Sequence, residues 1–420
     1  MKRVKPIREI NAVIRVPGSK SYTQRALITS ALASGRSIIK GALISEDTEH
    51  LIEALRLLGA TIGQERHDLI VEGTGGKLAT PPSALYLGNN GTGLRFLTST
   101  VSLGHGTFIL DGNSRMRQRP IQPLVDALNQ MGVKARCIEE NGCPPVKVRA
   151  KGLPGGKTGL TRGLSSQYVS SLLLAAPYAE KDTEVEICTP FPSWPYIRLT
   201  INVMAHFGVK VSVFEDRLFY IKAPQAYQPR EYVIEGDLSS ATYFMAAAAI
   251  LGRTIRISNI NPGSLQGDLR FLEILETMGC KVSTSGEGIQ ITGPLSNHED
   301  LSFDLNDVPD MVPALAVLSA FRKGKTILKN ILHLRVKESD RVAALSCELK
   351  KIGAKVEEKA DEMIVQGMAT HGAEIECYSD HRIAMSFAIA GLALEGISIK
   401  DPGCVKKSFP DFWETLESLG

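Results

Sequence analysis

The sequence predicts an α/β protein of two domains, each built from three repeated units of strands and helices. Three observations lead to this prediction. A chain of 420 residues exceeds the size at which a single hydrophobic core is usual. A helical pattern that ends in glycine recurs about every 70 residues, which indicates a repeated structural unit. A second series of almost wholly apolar helical segments alternates with the first.

The first series predicts six amphipathic helices that cover the cores of the domains. Each segment has apolar residues at helical spacing and ends in a glycine suited to a left-handed cap. All but the last continue into a strand-prone segment. The final glycines are Gly59, Gly132, Gly208, Gly279, Gly353 and Gly420.

The second series predicts six buried helices, because a helix that is apolar on every side lies inside its domain. Short alternating segments such as "TFILDG", "TEVEICT", "RLFYIKA" and "TIRISNI" predict the strands between helices. Six such units divide into two domains of three. The buried segments are "RALITSALASG", "GLRFLTSTVSLG", "YVSSLLLAAPYA", "ATYFMAAAAILG", "MVPALAVLSAF" and "RIAMSFAIAGLALEG".

A polar motif precedes each predicted buried helix. The unpaired N–H groups and positive dipole end of a helix start favour anions. Equivalent repeats would present these starts on one side of each domain, so we expect six of them to face one cleft. The alternative is that they are ordinary helix caps. The motifs are "GSKSYTQ", "GNNGTG", "LSSQ", "GDLSS", "DVPD" and "YSDHR".

Composition excludes several classes of protein. A net charge of +3 does not by itself indicate nucleic acid or a membrane surface as partner. The seven cysteines form no CxxC pair and no metal-ligand cluster, which predicts reduced thiols in a cytoplasm and no metal site. The N-terminus lacks the apolar core of a signal peptide, and no apolar run reaches the length of a membrane span.

Basic residues cluster near the polar helix starts. Several converging arginines indicate a ligand with more than one anionic group, because guanidinium binds phosphate and carboxylate through two hydrogen bonds. A solvated charged face is the alternative, and it fits Arg115 and Arg117 well. The other basic residues are Lys20, Arg25, Arg95, Arg119, Arg335, Lys337, Arg341, Arg382, Lys406 and Lys407, with Glu338 and Asp340 among them.

These motifs together resemble the EPSP synthase family of enolpyruvyl transferases, in family order and over essentially the whole chain. The resemblance implies a two-domain inside-out α/β barrel, in which each domain has three βαβαββ repeats with buried helices and outer sheets. The matching stretches are "PGSKSYTQRAL", "LGNNGTGLRFL", "RMRQRPIQPLVDAL", "SSQYVSSLLLAAP", "EGDLSSATYFMAAAA", "DVPDMVPALA", "LRVKESDR", "SDHRIAMS" and "KKSFPDFW".

The resemblance also implies the reaction. The carboxyvinyl group of phosphoenolpyruvate moves to the 5-hydroxyl of shikimate 3-phosphate, and phosphate is released. The family needs no cofactor or metal, and its members imply a cytoplasmic monomer with small-molecule substrates. Gly91 is expected to leave space beside the phosphoenolpyruvate site, so we expect inhibition by glyphosate, the family inhibitor.

Roles for individual residues follow from the resemblance. Asp310 is expected to act as general base, and Glu338 is the candidate donor to carbon, with Lys20 or Lys407 as alternatives. For Asp310 the alternative is a helix cap, and for Glu338 an ion pair with Lys337 or Arg341. The residues expected to bind shikimate 3-phosphate are Lys20, Ser21, Arg25, Ser165, Ser166, Gln167, Ser193, Tyr196, Asp310 and Lys337. Those expected to bind phosphoenolpyruvate are Lys20, Gly91, Arg119, Gln167, Arg341, Arg382 and Lys407.

Three positions depart from the family pattern. Asn90 stands where many members have alanine, and Phe96 replaces a common proline. His333 occupies a position that asparagine often holds. These departures bear on local affinity and leave the reaction class unchanged.

The predicted domains comprise residues 1–18 with 236–420, and residues 19–235, with the active site in the interdomain cleft. The chain crosses at "PGSK" and near "VIEGD", and two short linkers predict open and closed states.

Three alternatives belong to other classes. A nucleotide enzyme is suggested by "KGLPGGKT", but Lys151 stands where a phosphate loop needs its first glycine, and the segment is predicted to be a surface loop. The transferase that modifies UDP-N-acetylglucosamine shares the fold but carries a reactive cysteine in the loop corresponding to "DGNSRMRQRP". A non-catalytic anion-binding protein would not need Asp310 and Glu338.

Overall fold

The computed structural model describes residues 1–8, 10–160, 165–187, 191–286 and 288–420. Within it the chain forms two compact units. Gly18–Ile234 form the N-terminal unit, and Met1–Pro17 with Glu235–Gly420 form the C-terminal unit. The chain therefore leaves the C-terminal unit after Pro17 and returns to it after Ile234.

Both series of helices are present, and they alternate along the chain as predicted. The predicted buried helices are α1 (Lys20–Leu32), α3 (Gly91–Thr100), α5 (Ser166–Ala175), α7 (Leu238–Leu251), α9 (Val312–Ser319) and α11 (His381–Gly391). The predicted covering helices are α2 (Glu46–Leu57), α4 (Gln122–Gln130), α6 (Trp194–His206), α8 (Phe271–Thr277), α10 (Arg341–Lys351) and α12 (Phe412–Glu417).

Helices of the second series form the interior of each unit. Every residue of α9 and α11 is buried, and so is α7 from its first residue to Ala249. In the C-terminal unit α7, α9 and α11 pack against one another, and in the N-terminal unit α3 packs against both α1 and α5. Truncating a side chain in such a core, for example Phe244→Ala, costs about 3–5 kcal/mol. The prediction of buried helices is confirmed.

The covering helices end as their glycines predict. Gly59 has a φ of 105°, and Gly132, Gly208, Gly279 and Gly353 have values between 85° and 96°. This left-handed conformation is strained for residues with a Cβ, so glycine allows the chain to turn directly from the helix into the next strand. The capping prediction is confirmed at these five positions.

Strands surround the helices of each unit. They are β1 (Lys2–Arg3), β2 (Asn11–Ile14), β3 (Ser34–Lys40), β4 (Thr61–Glu65), β5 (Asp68–Thr74), β6 (Leu85–Tyr86), β7 (His105–Asp111), β8 (Lys134–Cys137), β9 (Val146–Lys151), β10 (Gly156–Leu160), β11 (Thr183–Ile187), β12 (Ser212–Phe214), β13 (Leu218–Ile221), β14 (Glu231–Val233), β15 (Thr254–Ile257), β16 (Lys281–Ser285), β17 (Gly288–Thr292), β18 (Leu301–Asp304), β19 (Lys325–Lys329), β20 (Lys355–Glu358), β21 (Glu362–Gln366), β22 (Glu374–Ile375) and β23 (Ser398–Ile399).

Each unit contains three sheets among its described residues. The N-terminal unit has sheets with strand orders β14-β3-β5-β4, β6-β7-β9-β8 and β10-β11-β13-β12. The C-terminal unit has β16-β17-β15-β2, β18-β19-β21-β20 and β1-β23-β22. Each four-stranded sheet contains one parallel pair, such as β14 beside β3 with Glu231 opposite Ile38, and two antiparallel pairs.

This pairing explains why the C-terminal unit is discontinuous in sequence. Strand β2, near the N-terminus, lies parallel to β15 with Ile14 opposite Ile257. Strand β14, just before the second crossing, completes the first sheet of the N-terminal unit.

The segment "KGLPGGKT" differs from the prediction. Its second half begins β10, which pairs in parallel with β11 over Gly156–Leu160. The prediction of a surface loop is therefore wrong for that half.

Two predictions from the sequence concern the cysteines and the absence of a membrane-spanning segment. The six cysteines that the structure describes are free, and Cys188 lies outside the described residues. Across the described ranges, no helix is long and apolar enough to cross a membrane.

Candidate active site

Helix α1 begins with a lysine that is paired to an acid. Lys20 is its first residue, and the Nζ atom lies 3.0 Å from Oδ2 of Asp47 in the first turn of α2. The carbonyl of the following residue, Ser21, accepts a hydrogen bond of 2.9 Å from Arg25. An anion that binds Lys20 must therefore share this lysine with Asp47.

Arg25 is a buried cation among neutral acceptors. Its side chain is 1% exposed, and it donates to the Thr200 hydroxyl at 2.7 Å and to the Tyr196 carbonyl at 3.1 Å. The guanidinium also lies 5.1 Å from the centre of the Phe96 ring. Burial lowers the pKa of Arg25 to about 10. These contacts fasten α1 to α6, so Arg25 has a structural role whatever it binds.

Three serines expected to hold a phosphate lie at the starts of two neighbouring helices. Ser165 and Ser166 begin α5, Ser193 precedes α6, and α5 packs against α6. All three serines are buried. Ser193 has a φ of 60°, a conformation that costs a residue other than glycine about 1–2 kcal/mol. Buried hydroxyls at positive helix ends suit an anionic ligand.

The side chain of Gln167 is held by Thr92 and Arg95, two residues that were not among the predicted substrate-binding residues. Its amide nitrogen donates to the Thr92 hydroxyl at 2.9 Å, and its amide oxygen accepts from Arg95. Arg95 also donates to the Pro120 carbonyl at 2.8 Å and lies over the ring of Tyr168. Thr92 and Arg95 therefore support Gln167 from the start of α3.

Gly91 allows an arginine to lie against the start of α3. A Cβ at Gly91 would lie 2.6 Å from a guanidinium nitrogen of Arg119. Arg119 is buried and donates to the backbone and side-chain oxygens of Asn89 at 2.9 and 3.1 Å. Gly91 is predicted from the sequence to leave space beside the phosphoenolpyruvate site, and the structure places against it the side chain of Arg119, which the sequence assigns to the same substrate.

In the C-terminal unit, three carboxylates contact one buried arginine. The Nε atom of Arg341 lies 2.8 Å from Asp380, one Nη lies 2.8 Å from Glu338, and the other lies 3.3 Å from Asp310. Arg341 is 1% exposed. Burial alone would lower the pKa of Arg341, but Asp380, Glu338 and Asp310 together raise it. Arg341 is therefore charged at neutral pH.

Asp310 is bound by a second arginine as well. Its Oδ2 atom lies 2.9 Å from Arg382, which also donates to the hydroxyl of Tyr243 at 3.3 Å. Asp310 does not cap α9, because the capping position belongs to Met311. The capping alternative for Asp310 is therefore wrong, and the carboxylate takes part in ion pairs.

The alternative for Glu338 is confirmed, since this side chain pairs with Arg341. The ion pair leaves its chemical role open, because a carboxylate can hold an arginine and still exchange a proton. Glu338 is 10% exposed, whereas Asp310 is 22% exposed.

The sequence also singles out two lysines and a histidine of the C-terminal unit. Lys337 follows the 3₁₀ helix Leu332–Val336, and Lys407 ends the 3₁₀ helix Pro402–Lys407. His333 and Lys407 are buried. Burial, followed by the positive charge of Lys337, lowers the pKa of His333 to about 3, so its ring is neutral at physiological pH.

Asp268 is a further acidic residue, and no motif or spacing in the sequence points to it. It lies in the 3₁₀ helix Gly267–Arg270, is buried, and accepts a hydrogen bond from Ser239 at the start of α7. Burial raises its pKa to about 7, and the charge of Asp310 acts in the same direction. A buried acid close to Asp310 and Arg382 can therefore carry a proton at neutral pH.

The six helix starts differ in how they are capped. At four of them the side chain of the capping residue accepts a backbone hydrogen bond, and these residues are Asn90, Ser165, Asp237 and Asp380. The side chain of Ser19 forms no such bond at the start of α1, nor does that of Met311 at the start of α9. The alternative that the polar motifs are ordinary helix caps therefore holds at the starts of α3, α5, α7 and α11.

Some basic residues of the sequence motifs lie on charged surfaces. Arg117 pairs with Asp111 at 2.6 Å and is 45% exposed, which confirms the solvated face predicted there. Arg335 pairs with Asp340 and Glu358 at 3.1 and 2.9 Å. These contacts place both arginines in ion pairs with surface acids.

No group of three or more His, Cys, Asp or Glu side chains suited to a metal ion occurs within the part of the chain that the structure describes. The carboxylates of the candidate site are instead paired with arginines.

Comparison with known proteins gives the family. A sequence model described as EPSP synthase (3-phosphoshikimate 1-carboxyvinyltransferase) matches residues 4–416. The chain belongs to the EPSP synthase family. It is 42% identical over 421 residues to the 3-phosphoshikimate 1-carboxyvinyltransferase of a Sulfurovum species, covering 99% of this chain and 98% of that protein.

Solved structures support the fold of an EPSP synthase. The structure of EPSP synthase from Acinetobacter baumannii matches with a TM-score of 0.80 and 29% identity, covering 100% of this chain and 98% of the other. The enolpyruvyl transferase NikO from Streptomyces tendae matches with a TM-score of 0.79, covering 100% and 97% of the two chains. Its 20% identity shows only a shared fold. The predicted inside-out α/β architecture is confirmed.

Family membership also decides against two alternatives that the sequence analysis left open, the UDP-N-acetylglucosamine transferase and a non-catalytic anion-binding protein. The family model and the relatives carry the name of the shikimate enzyme rather than that of the UDP-N-acetylglucosamine enzyme. A non-catalytic anion-binding protein is excluded on the same ground.

Proposed function

We infer that this enzyme transfers the carboxyvinyl group of phosphoenolpyruvate to the 5-hydroxyl of shikimate 3-phosphate. The products are 5-enolpyruvylshikimate 3-phosphate and phosphate, in the shikimate pathway. The family match over residues 4–416 supports the reaction. The observation that carries the assignment of residues is the Asp310 carboxylate, which lies between the buried guanidinium groups of Arg341 and Arg382.

Shikimate 3-phosphate is assigned to groups of the N-terminal unit, with Asp310 and Lys337 from the other unit. Ser165, Ser166 and Ser193 offer buried hydroxyls at two helix starts, which suits the 3-phosphate. The remaining contacts come from Lys20, Ser21, Arg25, Gln167 and Tyr196, and the neutral surroundings of Arg25 leave its charge available to the carboxylate of the ring.

Phosphoenolpyruvate is assigned to a set rich in arginine. It carries a phosphate and a carboxylate, and each can take two hydrogen bonds from one guanidinium. Arg341 and Arg382 are fixed by buried partners, which reduces the entropy lost when they bind an anion. The remaining members of the proposed set are Lys20, Gly91, Arg119, Gln167 and Lys407.

The ion pairs of Asp310 suggest how binding activates the base. In the described structure both oxygens of Asp310 are bound by arginines. An incoming anion competes for the same guanidinium N–H groups, so it loosens the hold on Asp310. The carboxylate is then free to accept the proton of the 5-hydroxyl.

The reaction needs a proton at carbon as well as a base. Protonation of the methylene carbon makes C2 cation-like, and the oxygen of the 5-hydroxyl forms a bond to C2. Loss of a proton from the new methyl group and cleavage of the C2–O bond then expel phosphate. Glu338 is the proposed donor, with Lys20 and Lys407 as alternatives, and the carboxylates also stabilise the developing cation.

We also propose that glyphosate inhibits the enzyme. Its carboxylate and phosphonate present anionic groups like those of phosphoenolpyruvate. The arginines assigned to that substrate would therefore bind the inhibitor.

The proposed function is tested by phosphate release from phosphoenolpyruvate with each acceptor in turn. We expect turnover with shikimate 3-phosphate and none with UDP-N-acetylglucosamine. Arg382→Gln should lower kcat/KM for phosphoenolpyruvate, whereas Arg217→Gln, which alters an exposed pair with Glu186, should not. Turnover with the UDP-sugar alone would overturn the assignment.

A further inference from the structure

Two cysteine thiols of the C-terminal unit lie side by side. Cys377 follows β22 by two residues, and Cys404 lies in the 3₁₀ helix Pro402–Lys407, which follows β23. Strands β22 and β23 are parallel neighbours with Ile375 opposite Ile399, so the chain leaves both from the same edge of the sheet. The two thiols are hydrogen-bonded to each other. The sheet therefore brings together cysteines that are far apart in sequence.

The surroundings of the pair favour thiol chemistry. Cys377 is fully buried, whereas Cys404 is partly exposed and accessible to small solutes. The hydrogen bond from Cys404 lowers the pKa of Cys377, and the same bond raises the pKa of Cys404. A proton shared between two sulfurs lets either one act as the nucleophile.

Each cysteine belongs to a segment that carries a proposed substrate-binding cation. Between Cys377 and α11 lie Tyr378 and Ser379, whose φ values of 54° and 52° are uncommon for residues other than glycine. The next residue is Asp380, which accepts from Arg341 and from the backbone N–H of Arg382. The backbone on this side is held in a strained turn, so a new covalent constraint at Cys377 would be transmitted to Asp380.

The segment of Cys404 leads to Lys407. The 3₁₀ helix Pro402–Lys407 packs against α11, and Lys407 is its last residue. A covalent bond between the two sulfurs would thus join the turn before Arg382 to the helix that ends at Lys407.

We propose that Cys377 and Cys404 form a reversible disulfide when the protein meets hydrogen peroxide. The reaction starts from the pair with one proton lost to solvent, in which Cys377 is the thiolate. The Cys404 sulfur attacks peroxide as its proton passes to the Cys377 thiolate, the O–O bond breaks, Cys404 becomes a sulfenic acid, and the hydroxide that leaves takes a proton from solvent to become water. The Cys377 sulfur then attacks the Cys404 sulfur, and the Cys377 proton leaves with the sulfenic hydroxyl as a second water. Two thiols are oxidised, peroxide is reduced to two waters, and a reducing dithiol restores the pair.

The effect on catalysis rests on the proposed binding of phosphoenolpyruvate by Arg382 and Lys407. We expect the disulfide to raise the apparent KM for phosphoenolpyruvate about fivefold or more. Energetic coupling between two sites of a protein usually changes affinity by at least this factor. The KM for shikimate 3-phosphate should change less, since most of its proposed contacts lie in the other unit.

The test treats the purified full-length protein with hydrogen peroxide and measures its intact mass and its disulfide-linked peptides. We expect the loss of two hydrogen atoms, a linked Cys377–Cys404 peptide, and recovery with a dithiol. Cys404→Ser and Cys377→Ser should abolish the linked peptide and the change in KM. The matched control Cys143→Ser alters a partly buried thiol of the other unit and should leave both intact.

Several results would overturn the proposal. These are a disulfide from Cys377 to Cys347, a Cys404 sulfinic acid without a linked peptide, or an unchanged KM in protein that is fully linked. If the reduced protein shows no turnover at all, the proposed function fails, but the peptide analysis still decides whether the disulfide forms.

Discussion

The carboxylate of Asp310 and the guanidinium of Arg382 form an ion pair of 2.9 Å, in which Arg382 is almost wholly buried. The other oxygen of the same carboxylate contacts Arg341 at 3.3 Å. The proposed base and two proposed anion-binding groups are therefore a single electrostatic unit, so a change in one alters the others.

Asp310→Asn should lower kcat for phosphate release by about 10²–10⁴-fold, the usual contribution of a general base. An amide retains the shape of the side chain but does not take up the proton of the 5-hydroxyl. Steady-state kinetics with both substrates measure the effect. Asp411→Asn, at an exposed position before α12 without a side-chain cap, is the control. A kcat of Asp310→Asn equal to that of the control would rule out the assignment as base.

Gly91→Ala should weaken phosphoenolpyruvate and glyphosate together. The new methyl group would lie 2.6 Å from the guanidinium of Arg119, so the arginine must move away from the start of α3. We expect a higher KM for phosphoenolpyruvate and a higher inhibition constant for glyphosate. Gly63→Ala is the control, because a Cβ there has no neighbour within 4 Å. Wild-type constants for Gly91→Ala would contradict the placement of Arg119.

Arg341→Gln should destabilise the protein by about 3–5 kcal/mol, as expected when one partner of a buried ionic cluster is removed. The change leaves Asp380, Glu338 and Asp310 without their shared cation. Chemical denaturation measures the free energy of unfolding. Arg217→Gln breaks an exposed pair and should cost no more than about 1 kcal/mol. Equal losses in both variants would show that the buried cluster contributes little to stability.

Asp268→Asn should change how stability depends on pH. The folded-state pKa is raised to about 7 from an ordinary value of 3.8, so the folded protein binds more protons than the unfolded chain between those values. Wild-type stability therefore carries a contribution from Asp268 that falls as pH rises from about 4 to about 7, by up to about 1.4 kcal/mol per pH unit. The amide removes that dependence while retaining an acceptor for Ser239.

Denaturation of wild type and Asp268→Asn at pH 5 and pH 8 tests this directly. The variant should gain stability relative to wild type at the higher pH. Asp411→Asn should show no such trend, and parallel pH curves for wild type and Asp268→Asn would show that Asp268 titrates normally.

The sequence by itself determined the repeat, the order of the helices and the family. Apolar spacing in "ATYFMAAAAILG" and the glycine after "LIEALRLLG" are local signals, since they depend on residues within a few turns of one helix. Such signals predicted the six buried helices and the left-handed caps correctly. The resemblance to the family then indicated which polar side chains are expected to bind substrate or take part in catalysis.

Only the tertiary structure decided which side chains meet. Asp310 and Arg341 are 31 residues apart, and their contact depends on how α9 and α10 pack. The position of the Arg119 side chain beside Gly91 likewise depends on tertiary packing. The pKa of the Asp268 carboxyl is raised only because the fold buries this residue near Asp310. Periodicity fixes which face of a helix is apolar, but a pKa or an ion pair depends on distances between elements, and packing alone sets those distances.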